Sequence, residues 1–159
     1  MQKWRTPVVF WKASLVGGLI AASVDVLAAA LIGRHGPMLI LHAIASGVLG
    51  RAAFFGGARS ALLGLLLQWL MGLLIALVYA LVAARAPAIG RRWLASGVIY
   101  GVLIYLVMNL VVVPLSAAPF KPQFTPDKII ENLLAMILFG LIVSFCVSIA
   151  VRSTNAAQP

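Results

Sequence analysis

Charged side chains are scarce in this sequence, and acidic ones are the scarcest. Only 9% of its 159 residues are charged, with 3 acidic residues against 12 basic ones. Because a soluble domain carries about 25% charged residues, this composition excludes an ordinary water-soluble globular protein. Hydrophobic residues make up 64% of the chain and the mean hydropathy is +1.11. We therefore predict a single transmembrane domain over residues 1–159, with lipid as its solvent and no separate soluble domain.

The residues that build metal and catalytic sites are equally few. The one cysteine, Cys146, and the two histidines, His35 and His42, supply neither a disulfide nor a metal-ligand spacing. No phosphate-binding loop follows a strand, and no Ser-His-acid set can be assembled at one membrane depth. We predict no metal, no cofactor and no enzymatic activity.

The basic residues do not form a face that could bind nucleic acid. They flank the apolar runs, which indicates contact with anionic lipid headgroups and control of orientation. Seven lie on the side of the N-terminal arm, the second loop and the C-terminal tail, and five lie on the other side, which predicts that both termini are cytoplasmic. The expected partners are the lipid bilayer and a homo-oligomer or larger membrane complex. The basic residues are Lys3, Arg5, Lys12, Arg85, Arg91, Arg92 and Arg152 on the first side, and Arg34, Arg51, Arg59, Lys121 and Lys128 on the second.

Four apolar runs reach the length of about 20 residues that a transmembrane helix needs. They cover residues 13–32, 60–84, 94–116 and 129–151. Since backbone groups in hydrocarbon must be satisfied within the segment, we predict an all-α integral membrane four-helix bundle. The first run resembles a signal peptide, but it is longer than a signal core of about 7 to 15 residues and contains Asp25. We therefore predict that it is retained as a span.

The segment 38–58 fits none of these four spans. Its apolar part, residues 38–50, is followed by Arg51 and by the aromatic pair Phe54 and Phe55. Thirteen helical residues extend only about 20 Å, which is less than the hydrocarbon core. The segment is favoured as a short interfacial helix, and a re-entrant hairpin that lines a cavity is the alternative.

Small residues recur at about every fourth position on each predicted span. Such stripes are typical of contacts between transmembrane helices, because they let the backbones approach closely. Pro114 is predicted to kink the third span. The predicted packing positions are Gly18, Gly64, Gly72, Gly97, Gly101, Gly140 and Ser144.

Asp25 is the most informative residue, because an ionisable group within a span costs about 2.5 to 3.5 kcal/mol. We expect its side chain to face the bundle interior. Gln68 and Asn109 fall at a similar depth, roughly 10 to 12 Å below the outer edge of the membrane core, and Tyr105 lies one turn from Asn109. The sequence predicts an intramembrane polar cluster of these four residues. The cluster is either a protonatable site for ion passage or a hydrogen-bonded link between helices, and both alternatives remain open.

A family resemblance rests on motifs in the last three spans. Gln68 to Tyr79 lead into a third span that carries Gly97-Val98-Ile99-Tyr100-Gly101 and then Asn109, with Pro114-Leu115 five residues later, and Phe139-Gly140 precede Arg152. In these features residues 64–152 resemble the YagU-like inner-membrane proteins of bacteria, a family whose role is largely undefined. The resemblance implies a four-helix inner-membrane protein connected with envelope or acid stress. Histidines are expected in YagU-like members where this chain has Gln68, Asn109 and Leu141, so a mechanism that uses those histidines is not implied here.

The sequence thus predicts a non-enzymatic, multi-pass protein of the bacterial inner membrane, acting as an accessory or envelope-homeostasis component. The alternative is a subunit of a proton or small-cation channel or transporter that uses Asp25. An ion path would require an oligomer, since four helices enclose little space beyond their own side chains.

Overall fold

The computed structural model describes residues 8–33, 35–119 and 125–156. Over these ranges the regular elements are all helical, which confirms the predicted all-α class. A 3-10 helix, Gly50–Phe55, follows α2, and a π-helix, Met108–Val112, joins α5 to α6. The α-helices are α1 Val8–Ile32, α2 Pro37–Leu49, α3 Gly57–Arg85, α4 Pro87–Arg91, α5 Trp93–Val107, α6 Val113–Leu115 and α7 Pro126–Ala156.

Prolines set several of the helix boundaries. α2, α4 and α7 begin at Pro37, Pro87 and Pro126, where the missing N–H of proline is not needed by the first helical turn. Ala86, which precedes Pro87, has φ of −131° and ψ of 83°. Because the ring of a proline disfavours the helical conformation in the residue before it, α3 ends at Arg85.

Five stretches of helix are long and apolar enough to cross a membrane: Phe10–Leu31, Pro37–Phe55, Gly57–Arg85, Trp93–Leu115 and Pro126–Ala150. This number supports a multi-pass membrane protein. Four of the stretches overlap the predicted spans, with ends that differ by a few residues. The remaining one, Pro37–Phe55, contains the segment that was predicted to be too short, because the 3-10 helix extends α2 to a total of 19 residues. The predicted count of four crossing helices is therefore not confirmed.

Gly50 interrupts this additional stretch and turns the chain back. Its φ of 60° and ψ of −143° are accessible chiefly to glycine. Beyond it, the ring of Phe54 lies 6.4 Å from the ring of His42, and Nε2 of His42 is 2.9 Å from the carbonyl oxygen of Gly57. In one straight α-helix, residues 42 and 57 would be about 22 Å apart. α2 and the 3-10 helix therefore form a folded-back pair instead of a single rod.

The long helices pack through their small residues. α7 packs against both α5 and α1, and α1 also packs against α3. Between α5 and α7, Gly97 and Gly101 face Gly140, and a Cβ on Gly140 would lie 2.7 Å from the backbone nitrogen of Gly101. Ser144 is fully buried beside Gly97, and Gly64 faces the backbone of α2 at Leu41. These five predicted packing positions thus lie at helix contacts.

Just before Pro114, where a kink is predicted, the span contains the π-helix. A proline ring in a regular α-helix clashes with the carbonyl group four residues earlier, which here belongs to Leu110. The wider π turn over Met108–Val112 shifts that carbonyl out of the α-helical register. Asn109 therefore lies in the irregular part of the span.

Some sequence predictions concern residues outside the described ranges. Lys3, Arg5, Arg34 and Lys121 are among them. The charge argument for orientation depends partly on these residues, so it stays a prediction.

Candidate functional site

The contact between α1 and α3 is close enough to bring polar side chains together across it. A Cβ on Gly72 would lie 2.7 Å from the carbonyl oxygen of Gly18 and 2.6 Å from Cβ of Ala22. Ala22 is itself fully buried. The two backbones therefore touch at this level, and Asp25 and Gln68, one turn further along, are within hydrogen-bonding reach of each other.

Gln68 bonds α1 through both a side chain and the backbone. Its Nε2 donates to Oδ2 of Asp25 at 2.9 Å and to the carbonyl oxygen of Ala22 at 3.3 Å. Both side chains are half-buried. In hydrocarbon, where water cannot replace a lost partner, such a bond favours association of the two helices. We refer to Asp25 and Gln68 as the Asp25–Gln68 pair.

A second polar contact links the same helices and was not foreseen from the sequence. Nε1 of Trp69 donates to Oγ of Ser23 at 3.2 Å, and that hydroxyl donates to the carbonyl oxygen of Leu19 at 2.9 Å. The available signal was the position of Trp69 beside Gln68, well inside the span and far from the interface that tryptophan commonly occupies. Adjacent residues of α3 thus bond the same turn of α1, residues 22–25.

The structure does not join Asn109 and Tyr105 to the pair. Nδ2 of Asn109 donates to the carbonyl oxygen of Tyr105 at 2.9 Å, a bond within its own span. α5 packs chiefly on α7, whereas Asp25 lies on the face of α1 that meets α3. Of the four residues predicted to form one cluster, Asp25 and Gln68 are in contact, whereas Asn109 and Tyr105 lie elsewhere. A similar depth in the membrane does not specify the position of a residue around the bundle.

A tyrosine pair connects α3 to α5 nearer the Arg85 end of the bundle. The hydroxyl groups of Tyr79 and Ser96 are 2.8 Å apart, and the hydroxyl of Tyr100 donates to the carbonyl oxygen of Ile75 at 2.6 Å. The two rings are tilted against each other with centroids 5.1 Å apart. These phenols satisfy their polar atoms inside the protein, so their role here is to hold the two helices together.

The described ranges offer little else with which to bind an ion. They contain no group of three or more His, Cys, Asp or Glu side chains that could hold a metal. Within these ranges the ion pair is Lys128 with Glu131, at 2.7 Å and exposed near the start of α7. Among the residues that the structure describes, the side-chain partner of Asp25 is therefore a neutral amide.

Comparisons of the chain with protein-family models, with curated proteins and with solved structures give no match. The resemblance to the YagU-like proteins stays a prediction, and the functional argument rests on the geometry of the Asp25–Gln68 pair and of the helices around it.

Proposed function

We propose that this chain is a non-enzymatic, YagU-like accessory protein of the bacterial inner membrane that contributes to envelope homeostasis, with both termini in the cytoplasm. The observation that carries the proposal is the two hydrogen bonds that the Gln68 amide donates to α1, one to Asp25 at 2.9 Å and one to the carbonyl oxygen of Ala22 at 3.3 Å. An amide that donates to both a carboxyl group and a backbone carbonyl of the neighbouring helix stabilises the contact between the two helices. Because amides do not titrate, Gln68 cannot itself carry a proton.

The distribution of polar groups supports a fastening role over ion passage. An ion path needs polar side chains or water in sequence across the membrane. Within the described residues, Gln68 is the side chain bonded to Asp25, and Asn109 bonds its own helix. The space between α3 and α5 is lined by apolar residues and Tyr100. The polar groups on these helices thus form separate contacts and not a chain.

An energetic comparison favours one second candidate, a proton or small-cation channel or transporter subunit that uses Asp25. A hydrogen bond between transmembrane helices contributes about 0.6 kcal/mol, and at most about 1.7 kcal/mol. An aspartate at the centre of a span costs about 2.5 to 3.5 kcal/mol. The hydrogen bond between Gln68 and Asp25 alone does not offset the cost of placing Asp25 in the span. If Asp25 served only to stabilise the helix contact, the bond would need to offset that cost.

Ion flux in proteoliposomes separates the two candidates. Purified wild type, Asp25→Asn and Asn109→Ala are reconstituted at matched protein density, and proton and monovalent-cation flux are measured. For an accessory protein we expect all three samples to match protein-free vesicles. Wild-type flux that Asp25→Asn abolishes and Asn109→Ala retains would replace the accessory proposal with the transport one.

The envelope role has its own test in cells. A strain that lacks this chain should grow less well under acid or detergent stress than its parent. Because an amide can replace a protonated carboxyl group in hydrogen bonding, the Asp25→Asn form should restore growth as well as wild type does. A deletion strain indistinguishable from its parent under both stresses would contradict the proposed role.

A further inference from the structure

α3 and α5 are held apart along their middle, although they are joined by a short connector. A groove of about 250 Å³ lies between them. Ile75 and Val78 line it on α3, and Tyr100 and Leu103 line it on α5. Val78 and Leu103 are each about half exposed, at 52% and 51%, so the groove opens to the surface of the bundle.

α3 and α5 are joined at the connector side of the groove, where the hydroxyl of Tyr100 donates to the carbonyl oxygen of Ile75. Beyond this bond the lining extends to Met71 on α3 and to Val112 on the other span. Since its lining belongs to the spans Gly57–Arg85 and Trp93–Leu115, the groove opens sideways to hydrocarbon. An apolar ligand is required to fill it.

The connector below the groove carries three exposed arginines, Arg85, Arg91 and Arg92. Arg85 lies on the groove side of α3, because Val78 and Leu74 are seven and eleven residues earlier, each about 20° from it around the helix. Arg92 is the N-cap of α5. The chain supplies no counter-charge here, since its three acidic residues are Asp25, in the middle of α1, and Asp127 and Glu131, at the opposite end of the bundle.

We propose that the groove and these arginines form a binding site for an anionic phospholipid. The distal part of one acyl chain lies in the groove, and the headgroup phosphate contacts Arg85 and Arg92. Half of a hydrocarbon core is about 15 Å deep, which corresponds to about ten residues of α3 at 1.5 Å each. A tail of one leaflet therefore extends from Arg85 to about Ile75, and its distal part meets the end of the groove nearest the connector, at Val78 and Tyr100.

Charge selects this ligand over a second copy of the chain. A copy inserted in the same orientation would bring its own arginines beside Arg85, Arg91 and Arg92, and like charges at short range repel. An anionic lipid instead neutralises the arginines and supplies the apolar tail. The site is independent of whether Asp25 fastens helices or carries ions.

Native mass spectrometry of the detergent-purified full chain tests headgroup recognition. Wild type is mixed with phosphatidylglycerol or phosphatidylcholine of identical tails at equal concentration. Since each arginine near an anionic headgroup is worth about fivefold in binding, wild type should retain phosphatidylglycerol at least about fivefold better. The double variant Arg85→Gln, Arg92→Gln should bind both lipids equally, whereas Arg59→Gln, an exposed arginine at the other end of the bundle, should keep the preference.

A groove-filling variant tests recognition of the tail. Val78→Trp places an indole in the groove and should lower retention of both lipids. Leu77→Trp, at the same level of α3 but outside the groove lining, should behave as wild type. If Val78→Trp does not fold, wild type is compared between phosphatidylglycerol and glycerol phosphate, which has no tail and should not be retained.

Four results would overturn the proposal. The first is equal retention of the two lipids by wild type, and the second is a preference that survives loss of both arginines. The third is a failure of the tail test, shown either by Val78→Trp binding as much lipid as Leu77→Trp or by retention of the tail-free headgroup. The fourth is a lipid-free dimer as the stable species. The last result would assign the groove to a second copy of the chain.

Discussion

Replacing Gly72 with alanine tests the α1–α3 contact on which the Asp25–Gln68 pair depends. The new Cβ would lie 2.6 Å from Cβ of Ala22 and 2.7 Å from the carbonyl oxygen of Gly18. Non-bonded carbon atoms prefer separations of about 3.5 to 4.0 Å. Both close neighbours belong to α1 and one is backbone, so they cannot rotate away. The two helices must separate locally by about 1 Å to accept the methyl group.

The expected cost follows from two contributions. Overpacking a close contact costs about 1 to 3 kcal/mol. The same separation would lengthen the Gln68–Asp25 bond from 2.9 Å to a distance at which a hydrogen bond is lost, which removes about 0.6 kcal/mol more. Alanine also favours the helix over glycine by up to about 1 kcal/mol, so we expect Gly72→Ala to lower the free energy of unfolding by about 1 to 3 kcal/mol.

The assay is reversible unfolding in mixed micelles, followed by helical circular dichroism as the denaturing detergent fraction rises. Gly47→Ala is the matched control, because a Cβ there has Ser116 Cβ at 3.8 Å as its neighbour. This control should be neutral or stabilising by up to about 1 kcal/mol, since alanine favours helix over glycine. If Gly72→Ala unfolds at the same detergent fraction as Gly47→Ala, α1 and α3 are not in backbone contact and the reasoning fails.

Three further predictions concern the pair, a buried hydroxyl and the topology. In a double-mutant cycle, Asp25→Leu and Gln68→Leu should show a coupling of about 0.6 kcal/mol, at most about 1.7 kcal/mol, in the same unfolding assay; additive effects would contradict the hydrogen bond. The hydroxyl of Ser60 is buried with no hydrogen-bond partner within the described residues, so Ser60→Ala should raise the free energy of unfolding by about 1 kcal/mol, and a loss of stability would show that the hydroxyl is bonded. Cysteines placed at Gly36 and Ala58 in a cysteine-free background should react with a membrane-impermeant thiol reagent from the same side of the membrane, because the second apolar stretch folds back; labelling from opposite sides would show that this stretch crosses.

The candidate site was only partly predictable from the sequence. Asp25 and Gln68 could be matched because helix rise and span boundaries give depth, and their hydrogen bond requires a similar depth. The same depth argument could not exclude Asn109 from the predicted polar cluster. Its place around the bundle depends on α5 packing against α7 through Gly97, Gly101 and Gly140, and a stripe of small residues does not specify which neighbour it meets.

The sequence by itself determined the membrane class, the all-helical backbone and most span boundaries. Long apolar runs demand backbone hydrogen bonds within each segment, and prolines limit where helices begin and end. Only the tertiary structure decided that the chain turns back at Gly50, that Gln68 reaches Asp25, and that α3 and α5 enclose a groove. The physical reason is that lipid is about as apolar as a helix surface. Hydropathy therefore specifies which segments leave water, whereas the order of neighbouring helices is selected by close packing and a few polar contacts.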